Sequence, residues 1–159
     1  MNKKAITFNS PFGLLTIVEE DDFITELSFG DTSNRQDIIY KETPLLRKVV
    51  LELKEYFSGL RISFSVPLNP KGTPFQKEVW KALQDIPYGS TLCYQDVAIK
   101  IGNKKAARAI GGANNKNPIA IIIPCHRVIG KNKKLIGYGG GLDKKMFLLN
   151  LEKKIKSEV

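Results

Sequence analysis

The sequence predicts an α+β chain: a small N-terminal α/β domain with an antiparallel sheet over residues 1–70, then a winged helix-turn-helix domain over 71–159. Three observations carry this expectation. Strand-like stretches crowd the first half, and well-capped helices fill the second. Pro and Gly concentrate between them, in "VPLNPKGTP" at 66–74. The charge also changes sign there. Residues 1–70 carry 8 Lys+Arg against 10 Asp+Glu, net −2, and residues 71–159 carry 17 against 6, net +11. The second half is thus a module suited to a polyanion, although a lysine-rich solvated surface has the same composition.

In the first half, "KAITFNS" and "GLLTIVEE" flank "PFG", and "FITELSFG" follows the acidic turn "EEDD", which predicts an antiparallel meander. "TPLLRKVVLELKEYFSG" reads as a helix with Thr43 as N-cap, Pro44 in its first turn and Gly59 at its stop. Leu45, Val49, Leu53 and Tyr56 form its apolar stripe. Nothing catalytic stands out here, so this half is read as a scaffold.

In the second half, "TPFQKEVWKALQDI" carries a full start signal, with Thr73 and Gln76 spaced as a capping box around Pro74. Phe75, Val79, Leu83 and Ile86 share a face. A shorter helix in "CYQDVAIKIG" stops at Gly102, and a third in "NKKAARAIGGANN" has Asn103 as its expected cap. Three short helices with brief connections suit a helix-turn-helix unit. "IIIPCHRV" at 121–128 reads as a strand and "LIGYGGG" at 135–141 as a glycine-rich wing. "LDKKMFLLNLEKKIK" closes the chain as a helix with Leu142, Met146, Leu151 and Ile155 expected to face inward.

Composition excludes several classes. No apolar run approaches the ~20 residues of a membrane span. "MNKKAITFNSPFG" lacks an apolar core, so no secretory signal is read there. Two cysteines without such a signal point to reduced thiols in the cytoplasm. Those two with one histidine make three residues, too few for the four-ligand sites of structural zinc.

Two constellations can carry chemistry. Ala106, Ala107, Ala109, Gly111, Gly112 and Ala113 leave a helix almost bare, with Arg108 projecting among them. Such a helix packs tightly on another helix, or it enters a DNA groove where close approach matters. The other is Cys125 followed by His126 and Arg127. A free thiol is only slightly ionised at neutral pH, so a nucleophilic Cys125 needs a base or cation beside it. Neighbours on an extended chain point to opposite faces, so a Cys–His contact requires a turn or a bridging water. Pro124 interrupts a regular strand at this point. The group that orients the imidazole comes from elsewhere; Glu152, Asp96 and Asp143 are the candidates. A buried thiol beside a hydrogen-bonded histidine is the inert alternative.

"PCHRV" at 124–128 does not stand alone. With "FQKEVWKALQDIPYGSTLCYQDVA", "KKAARAIGGANNKNPIAIIIPCHRVIG" and "GYGGGLDKKMFLLNLE", in that order, it resembles the O6-alkylguanine-DNA alkyltransferases, the methylated-DNA–protein-cysteine methyltransferases. The likeness covers nearly all of 73–152. It implies a ribonuclease H-like first domain and a single-turnover enzyme that moves the alkyl group of O6-alkylguanine, or of O4-methylthymine, from a flipped-out base to Cys125. His126 would deprotonate the thiol through a water, Glu152 would orient His126, and Asn117 would brace the active-site turn. Arg108 would fill the space left by the extruded nucleotide. Tyr94 would turn the 3′ phosphate and donate to the guanine ring, with Gln95, Ala106, Ala107 and Ala109 also at the DNA. Tyr138 and Gly139 would close over the base, and the Val128 carbonyl would read its exocyclic amine.

The resemblance further implies no cofactor and no metal. The partner would be double-stranded DNA containing O6-alkylguanine, with no membrane, and the protein a cytoplasmic monomer held at the nucleoid through DNA. Other readings are a damage-sensing relative that binds without transfer and a cysteine hydrolase built on Cys125, His126 and Glu152. Cys93, Ala120 and Asn114 depart from residues seen in some members: serine, proline and an apolar side chain, respectively.

Overall fold

A computed structural model describes residues 2–32, 34–131, 138 and 140–157. They form two compact units, one running to Lys71 and including Pro118–Ala120, the other made of Gly72–Asn117 and the residues from Ile121 onward.

The first unit is built on strands β1 (Lys3–Ser10), β2 (Gly13–Glu20), β3 (Phe23–Phe29) and β4 (Ile39–Tyr40), in the order β3-β2-β1-β4. The meander is antiparallel, with Lys3 opposite Glu20 and Ser10 opposite Gly13, and β4 adds parallel to β1. Asp21 and Asp22 turn β2 into β3 with φ of 51° and 68°. That left-handed pair matches the strand twist, and Asp tolerates it better than most residues. The free side of β3 is covered: Ile24 N donates to Pro67 O, and Leu27 N to Pro118 O. An open strand edge invites unwanted pairing, so this cover explains why Pro118–Ala120 belongs to the first unit. Ala120 N donates to Leu27 O as part of it.

Helix α1 (Pro44–Phe57) starts at Thr43, whose hydroxyl accepts from Leu46 N and donates to Glu19 at 2.5 Å. Its buried stripe is Leu46, Val49, Leu53 and Tyr56. Leu46 heads it rather than Leu45, because 46, 49, 53 and 56 keep the 3.6-residue period.

The second unit holds α2 (Pro74–Leu83), β5 (Leu92–Cys93), α3 (Tyr94–Lys100), α4 (Ala107–Asn115), β6 (Val128–Ile129) and α5 (Leu142–Ser157). The capping box at Thr73 and Gln76 is formed, and Val79, Trp80, Ala82 and Leu83 are buried. Trp80 Nε1 donates to Ala113 O at 2.9 Å and ties α2 to α4. α3 ends before Gly102, whose φ is 78°. β5 and β6 pair in parallel, Leu92 opposite Val128.

Three expectations are corrected. Asn103 does not cap α4: it closes a turn by accepting from Ala106 N, and the helix begins at Ala107. "IIIPCHRV" is not a strand. Ile121 sits at φ 72°, and only Val128–Ile129 pairs as β structure. Finally, α5 turns Lys145, Leu148 and Glu152 inward, while Leu142 and Met146 stay exposed. Apolar periodicity misplaced that face because two of its inward residues are charged. The wing segment falls largely outside the described residues.

Candidate active site

The site begins with a change of chain direction. Pro124 has φ −82° and ψ 63°, the values of an inverse γ-turn, and Cys125 N donates to Ile123 O at 2.8 Å. Cys125–Arg127 then forms one 3₁₀ turn, with Arg127 N donating to Pro124 O. Three residues per turn send three consecutive side chains in three directions. Cys125, His126 and Arg127 are all buried by this arrangement. Two amides hold it: Asn117 Nδ2 donates to Ile123 O at 2.8 Å, and Asn114 Nδ2 to Cys125 O at 3.3 Å.

Glu152 comes from α5 and serves two partners at once. Its Oε2 lies 2.7 Å from His126 Nε2, and the Arg127 fork meets it at 2.8 and 3.0 Å. Arg127 also donates to Ile86 O at 2.7 Å, and Gly89 N to Glu152 at 3.3 Å. Burial alone would raise the Glu152 carboxyl, but the hydrogen bonds and charges of His126 and Arg127 outweigh it and hold the group well below the carboxylate range. A carboxylate only accepts, so Nε2 is the protonated nitrogen of a neutral His126. Its Nδ1 is buried and has no partner among the described residues. Burial lowers the His126 pKa, and Arg127 and Lys145 push the same way against Glu152.

The thiol is silent at rest. Burial pushes Cys125 up to about 11, against the opposing pull of an Asn117 hydrogen bond and the Lys145 charge. A high pKa costs ionisation but makes the thiolate, once formed, a stronger nucleophile. Lys145 is fully buried, donates to Val128 O at 2.6 Å, and is lowered to about 8 by burial.

The residues singled out in the sequence separate into three groups. Cys125, His126, Glu152 and Asn117 come together. Tyr94 stands close enough for the Cys125 charge to raise its phenol, after burial has done most of that. Tyr138 is raised well above the phenol range, first by burial and then by the same charge. Arg108 and Ala109 lie on the exposed side of α4 and Ala107 is half-buried, whereas Ala106 is buried and does not share that face. Gln95 Nε2 donates to Lys104 O and closes the α3–α4 turn. Asp96 accepts from Cys93 N and, like Asp143, is exposed, so Glu152 alone of the three candidates reaches the imidazole. Gly139 lies outside the described residues.

Sequence reasoning passed over Lys145 and assigned no role to Arg127 or Asn114. A signal existed for Lys145, which precedes Glu152 by seven residues, two helical turns, and so shares its face. Among the described residues no cluster of His, Cys, Asp or Glu could hold a metal ion, and no helix is long and apolar enough to cross a membrane.

A helix-turn-helix unit that buries a cysteine next in the chain to a histidine held by a glutamate has the parts of a DNA-directed alkyl acceptor. Residues 74–154 match the DNA binding domain of 6-O-methylguanine DNA methyltransferase, and residues 4–70 its ribonuclease-like domain. The chain belongs to this family. It is 47% identical over 154 residues to the constitutive methylated-DNA–protein-cysteine methyltransferase of Bacillus subtilis, covering 92% of this chain and 93% of that one. Identity is also 47%, over 148 residues, with the methyltransferase of Methanosarcina acetivorans, covering 91% and 95%. Among solved structures, the O6-methylguanine methyltransferase of Mycobacterium tuberculosis superposes with a TM-score of 0.88 at 44% identity, covering 96% of this chain and 93% of that one. Its complex with DNA does so over 98% and 94%.

Proposed function

We propose that the protein repairs DNA by direct reversal, taking the alkyl group of O6-alkylguanine in duplex DNA onto Cys125, once per molecule. The observation that carries this reading is the open Nδ1 of a buried His126 whose other nitrogen is committed to Glu152. That nitrogen is a proton acceptor one residue from a thiol that burial keeps protonated. A water bridging Sγ and Nδ1 carries the proton from Cys125 to His126. Sγ then attacks the alkyl carbon; the S–C bond forms, the C–O6 bond breaks, and the electron pair leaves with guanine. Tyr94 donates to the ring as negative charge develops there, and the proton taken from the thiol finally neutralises the base. The thioether has no hydrolytic exit, so turnover stops at one.

A duplex hides O6 from any protein side chain, so the base must leave the stack at a cost of a few kcal/mol. Arg108 on the exposed side of α4 offsets part of that cost by occupying the gap. O4-methylthymine is the second substrate class, the first unit serves as scaffold, and the protein works as a cytoplasmic monomer. Intact protein given excess O6-methylguanine duplex should gain one methyl mass, mapped to Cys125, and then stop. Unchanged mass with tight binding would mark a damage sensor instead, and repeated turnover on small esters a hydrolase.

A further inference from the structure

Asn114 is the second-last residue of α4 and is buried although polar. Its Nδ2 reaches the Cys125 carbonyl, and its amide faces the Tyr94 hydroxyl. Tyr94 lies along the same side of the helix, where a Cβ on Gly111, one turn earlier, would stand 3.8 Å from the ring. Asn114 therefore sits between the nucleophile's turn and the tyrosine proposed to touch the base. Its Oδ1 is buried and has no hydrogen-bond partner among the described residues. Flipping the amide gives no relief. The Cys125 carbonyl is an acceptor only, so a flip would set two acceptors against each other. Buried acceptors are nearly always satisfied, so one left open beside a reactive centre is a place for a bound donor.

The chemistry of the base names that donor. Alkylation at O6 fixes the guanine ring in the form without an N1 proton, which leaves the exocyclic 2-amino group as the only N–H donor on the base. O4-alkylthymine, alkylated in the same sense, has no base donor at all. The Val128 carbonyl, the acceptor expected from sequence, accepts from the Lys145 ammonium at 2.6 Å and keeps one lone pair, enough for one of the amine's two protons and not for the other. Resting on the alkyl-transfer reading above, we propose that Asn114 Oδ1 accepts a hydrogen bond from the 2-amino group of the extruded O6-alkylguanine. Asn114 thereby selects that base over alkylated bases lacking the amine.

The test compares single-turnover methyl transfer to Cys125 from two duplexes, identical except that one carries O6-methylguanine and the other O6-methylhypoxanthine, which lacks the 2-amino group. The wild-type protein should prefer O6-methylguanine by about tenfold or more, the range expected when a buried acceptor is left unpaired. Asn114→Leu, which keeps bulk, and Asn114→Ala, which favours the helix, should both cut that preference by about fivefold or more. Melting curves select the variant that retains the fold. A ratio retained in that variant, or absent from the wild type, overturns the proposal, as does an equal slowing on both bases. No transfer from O6-methylguanine by the wild type would overturn the alkyl-transfer reading itself, a result distinct from transfer with a retained ratio.

Discussion

Each unit buries a glutamate near an arginine, and the two sites differ in what else the carboxylate touches. In the first unit Glu52 accepts from Ser65 N at 2.9 Å and Ser65 Oγ at 2.5 Å, with Arg61 at 3.5 Å. Every donor there is an amide, a hydroxyl or a guanidinium, and none is an imidazole. Glu152 has its arginine fork too, but one of its partners is an imidazole whose far nitrogen is open. Burial and ion pairing are thus common to both glutamates. The difference lies in a titratable partner with an open lone pair.

The same substitution at both glutamates should break this symmetry most visibly. Glu152→Gln offers an NH2 where His126 and Arg127 both donate. Set with its oxygen toward the ring, the amide turns NH2 against Arg127 Nε; set the other way, it forces the ring proton onto Nδ1 and disables the base. Transfer should fall by roughly 10²–10⁴-fold, the worth of general base catalysis. The Arg127 charge left without its counter-ion should cost about 3–5 kcal/mol of stability. Glu52→Gln should lower stability by about 1–3 kcal/mol and leave the transfer rate of the folded protein as it was. Single-turnover rates with thermal melts read both effects. Equal rate losses at the two positions would show that Glu152 acts only as a brace.

A smaller effect separates the exposed side of α4 from the buried turn. Arg108→Ala should slow repair of an O6-methylguanine duplex by about tenfold, part of the cost of extruding a base. It should spare reaction with free O6-benzylguanine, which requires no extrusion. Equal slowing on both would place Arg108 in the chemistry instead.

How far the sequence disclosed this arrangement depended on the kind of signal each residue carried. Thr43 and Thr73 mark their helix starts locally, because a cap is a short-range hydrogen bond that nearby residues specify. The meander was readable for the same reason, from alternation and the Asp21–Asp22 turn. Asn103 was misread because a good capping residue can also close a turn, and nothing local tells the two apart. Apolar periodicity is blind to the inward face of α5 because Lys145 and Glu152 are charged and find their partners within His126 to Val128. Arg127 reads from sequence as a neighbour of Cys125, whereas its fork meets Glu152 25 residues away. Local hydrogen bonds are written in short words, whereas a buried ionic network is written across the whole unit.

The smallest predicted effect concerns acid, and it again divides the two units. A group whose pKa is lower in the fold than in the unfolded chain adds stability above its unfolded pKa and loses it as pH falls through the folded one. His126 is such a group: burial lowers it, Arg127 and Lys145 assist, and Glu152 opposes. Its contribution should therefore begin to fade once pH drops below about 6.5, the ordinary histidine value. The first unit also has a depressed group, Asp37, held below the carboxylate range by its hydrogen bond to Arg35. That window opens only below about 3.9, and Asp37 is exposed, so solvent screening shrinks its weight. Between pH 7 and pH 5 the second unit should lose amide-exchange protection in α4 and α5, while β1 to β3 keep theirs. His126→Asn should remove most of the dependence, since Glu152 and Asp96, the depressed carboxyls of that unit, respond mainly below that interval. Parallel loss in both units, or a variant that keeps the wild-type pH profile, would place the acid response outside the His126 network.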